Sequence, residues 1–176
     1  MRKLFFILLC LSYGLNAQNY EAQFDTGYSY SKLDWVNIKS KRDAHQHGIM
    51  AALMFTSGMA RGMEQVLAYH YDRFEYRHPN ANPNYWNPKY SWTNKYKHHD
   101  PNLGPKFLFS TNALVWLTDG KHLMDAFNNT PMYICITLPI AYPTHKTYNW
   151  HDIIGRGLML AIWRSAGFYM TYNVIY

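Results

Sequence analysis

The chain has 176 residues, which suits a single domain with a sizeable buried core. Its formal net charge of +6 is mildly basic and does not by itself indicate nucleic-acid binding. The aromatic content is unusual, with 16 Tyr, 6 Trp and 9 Phe. Aromatic side chains with a polar end favour interfaces with lipid headgroups, sugars or protein partners.

The first 17 residues have the pattern of a secretory signal peptide. Arg2 and Lys3 precede a short apolar run, and Leu15-Asn16-Ala17 provides a small-residue cleavage site. We expect export to the periplasm or to the periplasmic face of a membrane. Lipidation of Cys10 and an uncleaved interfacial anchor are the alternatives. Cleavage would leave Cys135 as the only cysteine, so no internal disulfide is expected, and its apolar neighbours predict a small buried hydrophobic residue.

Residues 18–39 predict an extended aromatic arm, and residues 40–176 predict a single helical domain. Its first helix is expected to run from about Ser40 to about Arg73, with Ser40 and Asp43 at capping-box spacing. Gly58 and Gly62 each weaken a helix by about 1 kcal/mol relative to alanine. Close approach of another helix would offset that cost, whereas the alternative is a kink between two shorter helices.

Residues 76–106 predict a long, ordered loop, because five of the eight prolines and many asparagines lie there. Its basic and aromatic side chains are candidates for binding a membrane surface, an anionic lipid or glycan, or an envelope protein. Nucleic acid is not expected as the partner of an exported protein. The alternative is a solvated basic loop that its aromatic side chains hold in place. The candidate binding residues here are Trp86, Trp92, Lys95 and Lys97.

A second helix is expected from about Thr111 to Phe127, with Pro131 ending it. The apolar segment 131–142 is compatible with either a short helix or a buried strand. A third helix is expected from about Asn149, and it is hydrophobic nearly all round, as a central or partly lipid-embedded helix would be. Arg156 and Arg164 argue against a simple membrane span and are candidates for ion pairing or anion binding.

Asp119 and His122 are the strongest candidates for chemistry. Three residues apart, they would share one face in the middle of the second helix, where unpaired polar groups are costly. With His47 and Asp152 they could form a metal site between helices, for which zinc or iron would be suitable. Without a metal, Asp119 could orient His122 as a general base, or the pair could be purely structural. No nucleophile motif accompanies them.

Together these patterns predict a mainly α-helical protein, built as a three-helix or four-helix bundle with the long loop and the N-terminal arm. The predicted function is that of a small exported, membrane-associated protein with a structural or interaction role at the envelope. The alternative is a helical hydrolase-type enzyme that uses the His/Asp site.

Overall fold

The computed structural model describes residues 41–143 and 149–176. The predicted leader, the predicted arm and Ser40 lie outside these residues. The described part is mainly helical, as predicted, and it contains no strand apart from an isolated bridge between Tyr96 and Pro105.

The first long helix, α1, spans Lys41–Tyr69 and is followed directly by the short helix α2, Tyr71–Arg77. The prediction of one helix to Arg73 is wrong, because the backbone leaves helical geometry at His70, with φ −139° and ψ 43°. Helix α1 is unbroken across Gly58 and Gly62, which excludes the kink between two shorter helices.

Residues 78–119 combine short helices and turns instead of a simple loop. Helices α3, Pro83–Trp86, and α4, Pro88–Ser91, each begin with proline after an asparagine whose side chain accepts a backbone hydrogen bond. Asparagine at the cap and proline at the first helical position are favourable helix starts, so these prolines begin helices. Single 3₁₀ turns follow at Lys97–His99, Pro101–Leu103 and Val115–Leu117.

Helix α5 spans Gly120–Ala141 and corrects two predictions about the second helix. It begins nine residues later than Thr111, with Asp119 as its N-cap. It also continues through Pro131 and Pro139, so the segment 131–142 is neither a separate short helix nor a strand. Each proline removes one backbone hydrogen bond. Packing of the helix against α1 keeps it continuous despite that loss.

Helix α6 spans Trp150–Tyr169, close to the predicted start at Asn149, and continues as a π-helical segment, Met170–Ile175. It is not the central helix, since α5 and α6 both pack along α1. Within the described residues, no helix has both the length and the apolarity that crossing a membrane requires.

Contacts along α1 define the helix directions. Gln46 bonds to the Tyr142 carbonyl and Ser57 to the Asn128 carbonyl, so α5 runs antiparallel to α1. Helix α6 runs parallel to α1 and approaches it closely. A Cβ atom at Gly58 would lie 1.9 Å from the Arg164 carbonyl oxygen, and one at Gly167 would lie 2.1 Å from that of Phe55. Glycine is required at both positions, as close helix approach predicts.

The interior changes character along α1. At its C-terminal end, Val66, Leu67 and Phe74 form an apolar cluster. The rest of α1 buries an unusual number of polar groups for a helical protein. The polar residues that α1 buries are Asp43, Gln46, His47, Ser57 and Glu64.

Candidate functional site

Asp119 and His122 do come together, but at the start of a helix and not in its middle. Oδ1 of Asp119 accepts hydrogen bonds from the backbone N–H groups of Lys121, at 2.8 Å, and His122, at 3.4 Å. Oδ2 lies 3.1 Å from Nδ1 of His122. The Asp119 carboxylate is buried, whereas 44% of the His122 side chain is exposed. Asp119 therefore caps α5 and also holds the imidazole.

The electrostatics of Asp119 favour its charged form. Burial would raise the pKa of this carboxyl, but the hydrogen bond and charge of His122 oppose that effect. Together with the two backbone N–H groups they lower the pKa below its ordinary value. When Nδ1 of His122 donates to Asp119, Nε2 of the neutral ring is a hydrogen-bond acceptor. The pair can therefore position a general base. The same carboxylate also accepts hydrogen bonds from backbone N–H groups at the start of α5.

The segment before α5 supports this helix start. A Cβ atom at Gly120 would lie 2.5 Å from Cε3 of Trp86, so the indole ring rests directly on the first residue of the helix. The Asn94 side chain donates to the Thr118 carbonyl at 2.7 Å, and the Tyr85 hydroxyl donates to the Trp116 carbonyl at 3.0 Å. Burial and the nearby Asp119 charge raise the pKa of Tyr85. These contacts assign Trp86 and Tyr85 a role in holding the start of α5.

The other three candidate binding residues of the loop are more accessible. Trp92 and Lys97 are exposed, and Lys95 lies partly buried with its ammonium group 5.5 Å from the centre of the Tyr96 ring. Lys95 also contributes its backbone carbonyl to Ser110 and to the Lys106 N–H. Of the four candidate binding residues in this loop, Trp92 and Lys97 are therefore the two with exposed side chains.

A second polar group lies near the start of α1. Asp43 is fully buried, and its Oδ2 accepts a 2.7 Å hydrogen bond from Nη2 of Arg156 on α6. His47 is 3% exposed, and neither ring nitrogen has a hydrogen-bond partner among the described residues. Burial, and then the charge of Arg156, lower the pKa of His47, while Asp43 opposes them. Asp43 thus forms a buried ion pair between helices, which helix capping alone does not predict.

A third polar junction joins the three long helices. The Ser57 hydroxyl donates to the Asn128 carbonyl at 2.7 Å. Arg164 on α6 donates from Nη2 to Oδ1 of Asn128 at 2.8 Å and from Nε to the Ser57 hydroxyl at 3.4 Å. Both acceptors are neutral, which distinguishes Arg164 from Arg156. Ion pairing was one of the two roles predicted for Arg156 and Arg164, and among the described residues Arg156 forms such a pair with Asp43. Glu64 bonds to Arg61 at 2.6 Å.

The predicted metal ligands are divided between these places. Asp119 and His122 form their own pair, while His47 lies with Asp43 and Arg156. Asp152 is buried on the first turn of α6. Among the described residues, no three His, Cys, Asp or Glu side chains are grouped closely enough to hold a metal ion. The zinc or iron site therefore gains no support from this geometry.

Cys135 is buried, and its thiol lies 3.5 Å from the Met50 carbonyl. Burial raises the pKa of this thiol, which keeps it protonated. It is a small buried hydrophobic residue, as its sequence context predicted.

The sequence analysis did not predict two features of this geometry, namely the helix-capping role of Asp119 and the contact between Ser57 and Asn128. Asp119 precedes Gly120 directly, and aspartate is favoured at a helix N-cap over a helix interior, so its role had a local signal. Ser57 and Asn128 had no local signal, because their contact joins residues 71 positions apart.

Comparison with protein-family models, with curated proteins and with solved structures finds no match to this chain.

Proposed function

We propose that this protein is a membrane-associated helical protein with a structural or interaction role, and that one face of α5 and α6 rests in the membrane interface. The observation that carries the proposal is the exposure of large apolar side chains on both helices. On α5 and just after it these are Phe127, Tyr133, Ile134, Ile136, Ile140 and Tyr142. On α6 they are Trp150, Ile153, Ile154, Leu158, Ile162 and Tyr169. We call these twelve residues the apolar face.

The apolar face lacks charge as well as being hydrophobic. The sequence from Ala126 to Pro143 contains no Asp, Glu, Lys or Arg. On α6, Arg156 is buried and Arg164 is partly buried. Ile140 and Ile162 are 76% and 60% exposed. Removing one such side chain from water contributes about 1.5–3 kcal/mol, so a few inserted residues would hold the protein on a bilayer.

The interior supports the same proposal. Among the described residues, the buried polar and charged residues outnumber the buried apolar ones, while large apolar residues are exposed. Polar groups that face inward and apolar groups that face outward are typical of helices in an apolar environment. Exposed Tyr and Trp on the apolar face, such as Tyr142 and Trp150, suit the depth of lipid headgroups.

Flotation with phosphatidylcholine vesicles tests this proposal. We expect the purified protein to float with the vesicles and the double variant Ile140→Asp/Ile162→Asp to remain in the dense fraction. Tyr76→Asp is the matched control, since Tyr76 is 89% exposed but lies on α2. It should float like the unchanged protein.

A protein that fails to float would contradict the proposal. If it is instead a dimer without lipid, and the double variant is a monomer, the apolar face is an interface between copies of this chain. That result would also replace membrane association as the function.

The bundle of three long helices and export to the periplasm belong to the same proposal. The first is supported by the packing of α5 and α6 on α1. The second is supported by the sequence pattern of residues 1–17.

The contact between Asp119 and the exposed His122 imidazole favours one alternative, a hydrolase-type enzyme. A hydrolytic activity that Asp119→Asn abolishes, while the fold is retained, would support this alternative over a capping role.

A further inference from the structure

Helices α5 and α6 leave a groove between them. Both pack along α1 and hardly contact each other. The groove has a volume of about 410 Å³, within the range of ligand pockets in proteins. Its lining is mostly apolar, with Met54 from α1, Met132 and Ile136 from α5, and Leu160 and Ala161 from α6. Such a groove suits a hydrocarbon chain.

Among the described residues, Arg164 is the cation that lines this groove. The lining on α6 runs from Gly157 to Ser165 and includes Arg164, whose guanidinium contacts Ser57 and Asn128. Within the part of the chain that the structure describes, two of its five N–H donors are used, both on neutral acceptors. Within the described residues, Arg164 has no carboxylate partner, in contrast to Arg61 and Arg156. A partly buried guanidinium without a counter-ion is favourable for binding an anion.

The groove and the apolar face share one residue. Ile136 belongs to both, and 61% of it is exposed. We propose that the groove binds one anionic phospholipid, with an acyl chain between α5 and α6 and the phosphate on Arg164. This inference rests on the proposed membrane association, because the bilayer supplies the lipid. The planar guanidinium matches phosphate oxygens, and the apolar lining matches the chain.

Binding of short-chain, monomeric lipids tests the site without a bilayer. The probes are dihexanoyl phosphatidylglycerol and dihexanoyl phosphatidylcholine, each titrated into the full chain in a calorimeter. We expect one molecule of the phosphatidylglycerol to bind, about tenfold or more tightly than the phosphatidylcholine, since a charged hydrogen bond contributes that much. Arg164→Gln should remove the preference, and Arg164→Lys should keep most of it. Arg73→Gln, at an exposed arginine on α2, should change nothing.

A second variant addresses the groove without touching the polar junction. A Cβ atom at Gly157 has no neighbour within 4 Å, so Gly157→Leu fits the fold and fills the groove. It should abolish binding of both lipids. Gly48→Leu is the matched control, because Gly48 is also a helical glycine with open space around it. Thermal unfolding of each variant establishes that it is folded.

Three results would overturn the inference. The Arg164→Gln variant could keep the preference for phosphatidylglycerol, or the Gly157→Leu variant could bind both lipids like the unchanged protein. The third is that the protein binds octanoate but not phosphatidylglycerol. If the titrations fail but the protein still floats with phosphatidylcholine vesicles, the lipid site is rejected and the proposed membrane association is retained. Failure of flotation alone would reject membrane association.

Discussion

At the scale of single residues, Asp119 shows how one side chain can satisfy several polar groups. Its carboxylate accepts from two backbone N–H groups and lies beside His122. The sequence predicted the contact between these two residues but placed it inside a helix. The physical reason for the error is that a helix interior and a helix N-cap both allow residues three apart to meet.

Replacing Asp119 should therefore destabilise the protein through the start of α5. We expect Asp119→Ala to lower the free energy of unfolding by about 1–2 kcal/mol, as loss of an N-cap does, and Asp119→Asn to cost much less. Asn149→Ala is the control, because Asn149 precedes α6 without a side-chain capping bond. Urea unfolding measures all three. Equal losses for Asp119→Ala and Asn149→Ala would contradict the capping role.

His47 should make stability depend on pH. Its pKa is lowered in the fold from an ordinary value of 6.5, mainly by burial. The unfolded chain therefore binds a proton first as the pH falls. Stability is fully present above about pH 6.5 and is lost as the pH falls toward the lowered value.

His47→Leu should remove this part of the acid sensitivity, and it should cost little at neutral pH, because the two ring nitrogens are unpaired. His45→Leu is the matched control, since His45 lies two residues away and is exposed. The measurement is urea unfolding at several pH values between about 5 and 8. An unchanged pH profile for His47→Leu would show that other groups are responsible.

At the scale of the elements, local patterns predicted helices better than helix ends. The apolar spacing of α1 and α6 and the small residues Gly58 and Gly62 led to a correct expectation of helices in close contact. Pro131 and Pro139 misled the prediction of α5, because proline usually ends a helix. The contacts that keep α5 continuous come from α1, and they are remote in the sequence.

The two short helices α3 and α4 have a local start signal in the sequence that the prediction of a loop did not include. Asparagine followed by proline starts both α3 and α4. The density of proline and asparagine in this segment predicted a loop, because both residues are frequent in irregular structure. Of the candidate site, the Asp119–His122 pair could be predicted from spacing, whereas the buried pair of Asp43 and Arg156 could not. Those two residues are 113 positions apart, and no local pattern joins them.

At the scale of the whole molecule, the distribution of polarity is the central feature. In the described part of the chain, polar residues such as Asp43 and Ser57 on α1 and Asn128 on α5 are buried. The residues of the apolar face are exposed. Such a surface is unfavourable in water unless another apolar surface covers it. The groove that Arg164 lines shares Ile136 with this surface. The proposed membrane association would account for all three observations together.

The most direct test places an environment-sensitive fluorophore on the apolar face. With Cys10 and Cys135 replaced by serine, Ile162→Cys is labelled with a nitrobenzoxadiazole group, and Tyr76→Cys is labelled as the control. Adding phosphatidylcholine vesicles should shift the emission of the label at position 162 to shorter wavelength, as entry into an apolar medium does, and leave position 76 unchanged. No shift at position 162, or equal shifts at both positions, would contradict the membrane role of the apolar face.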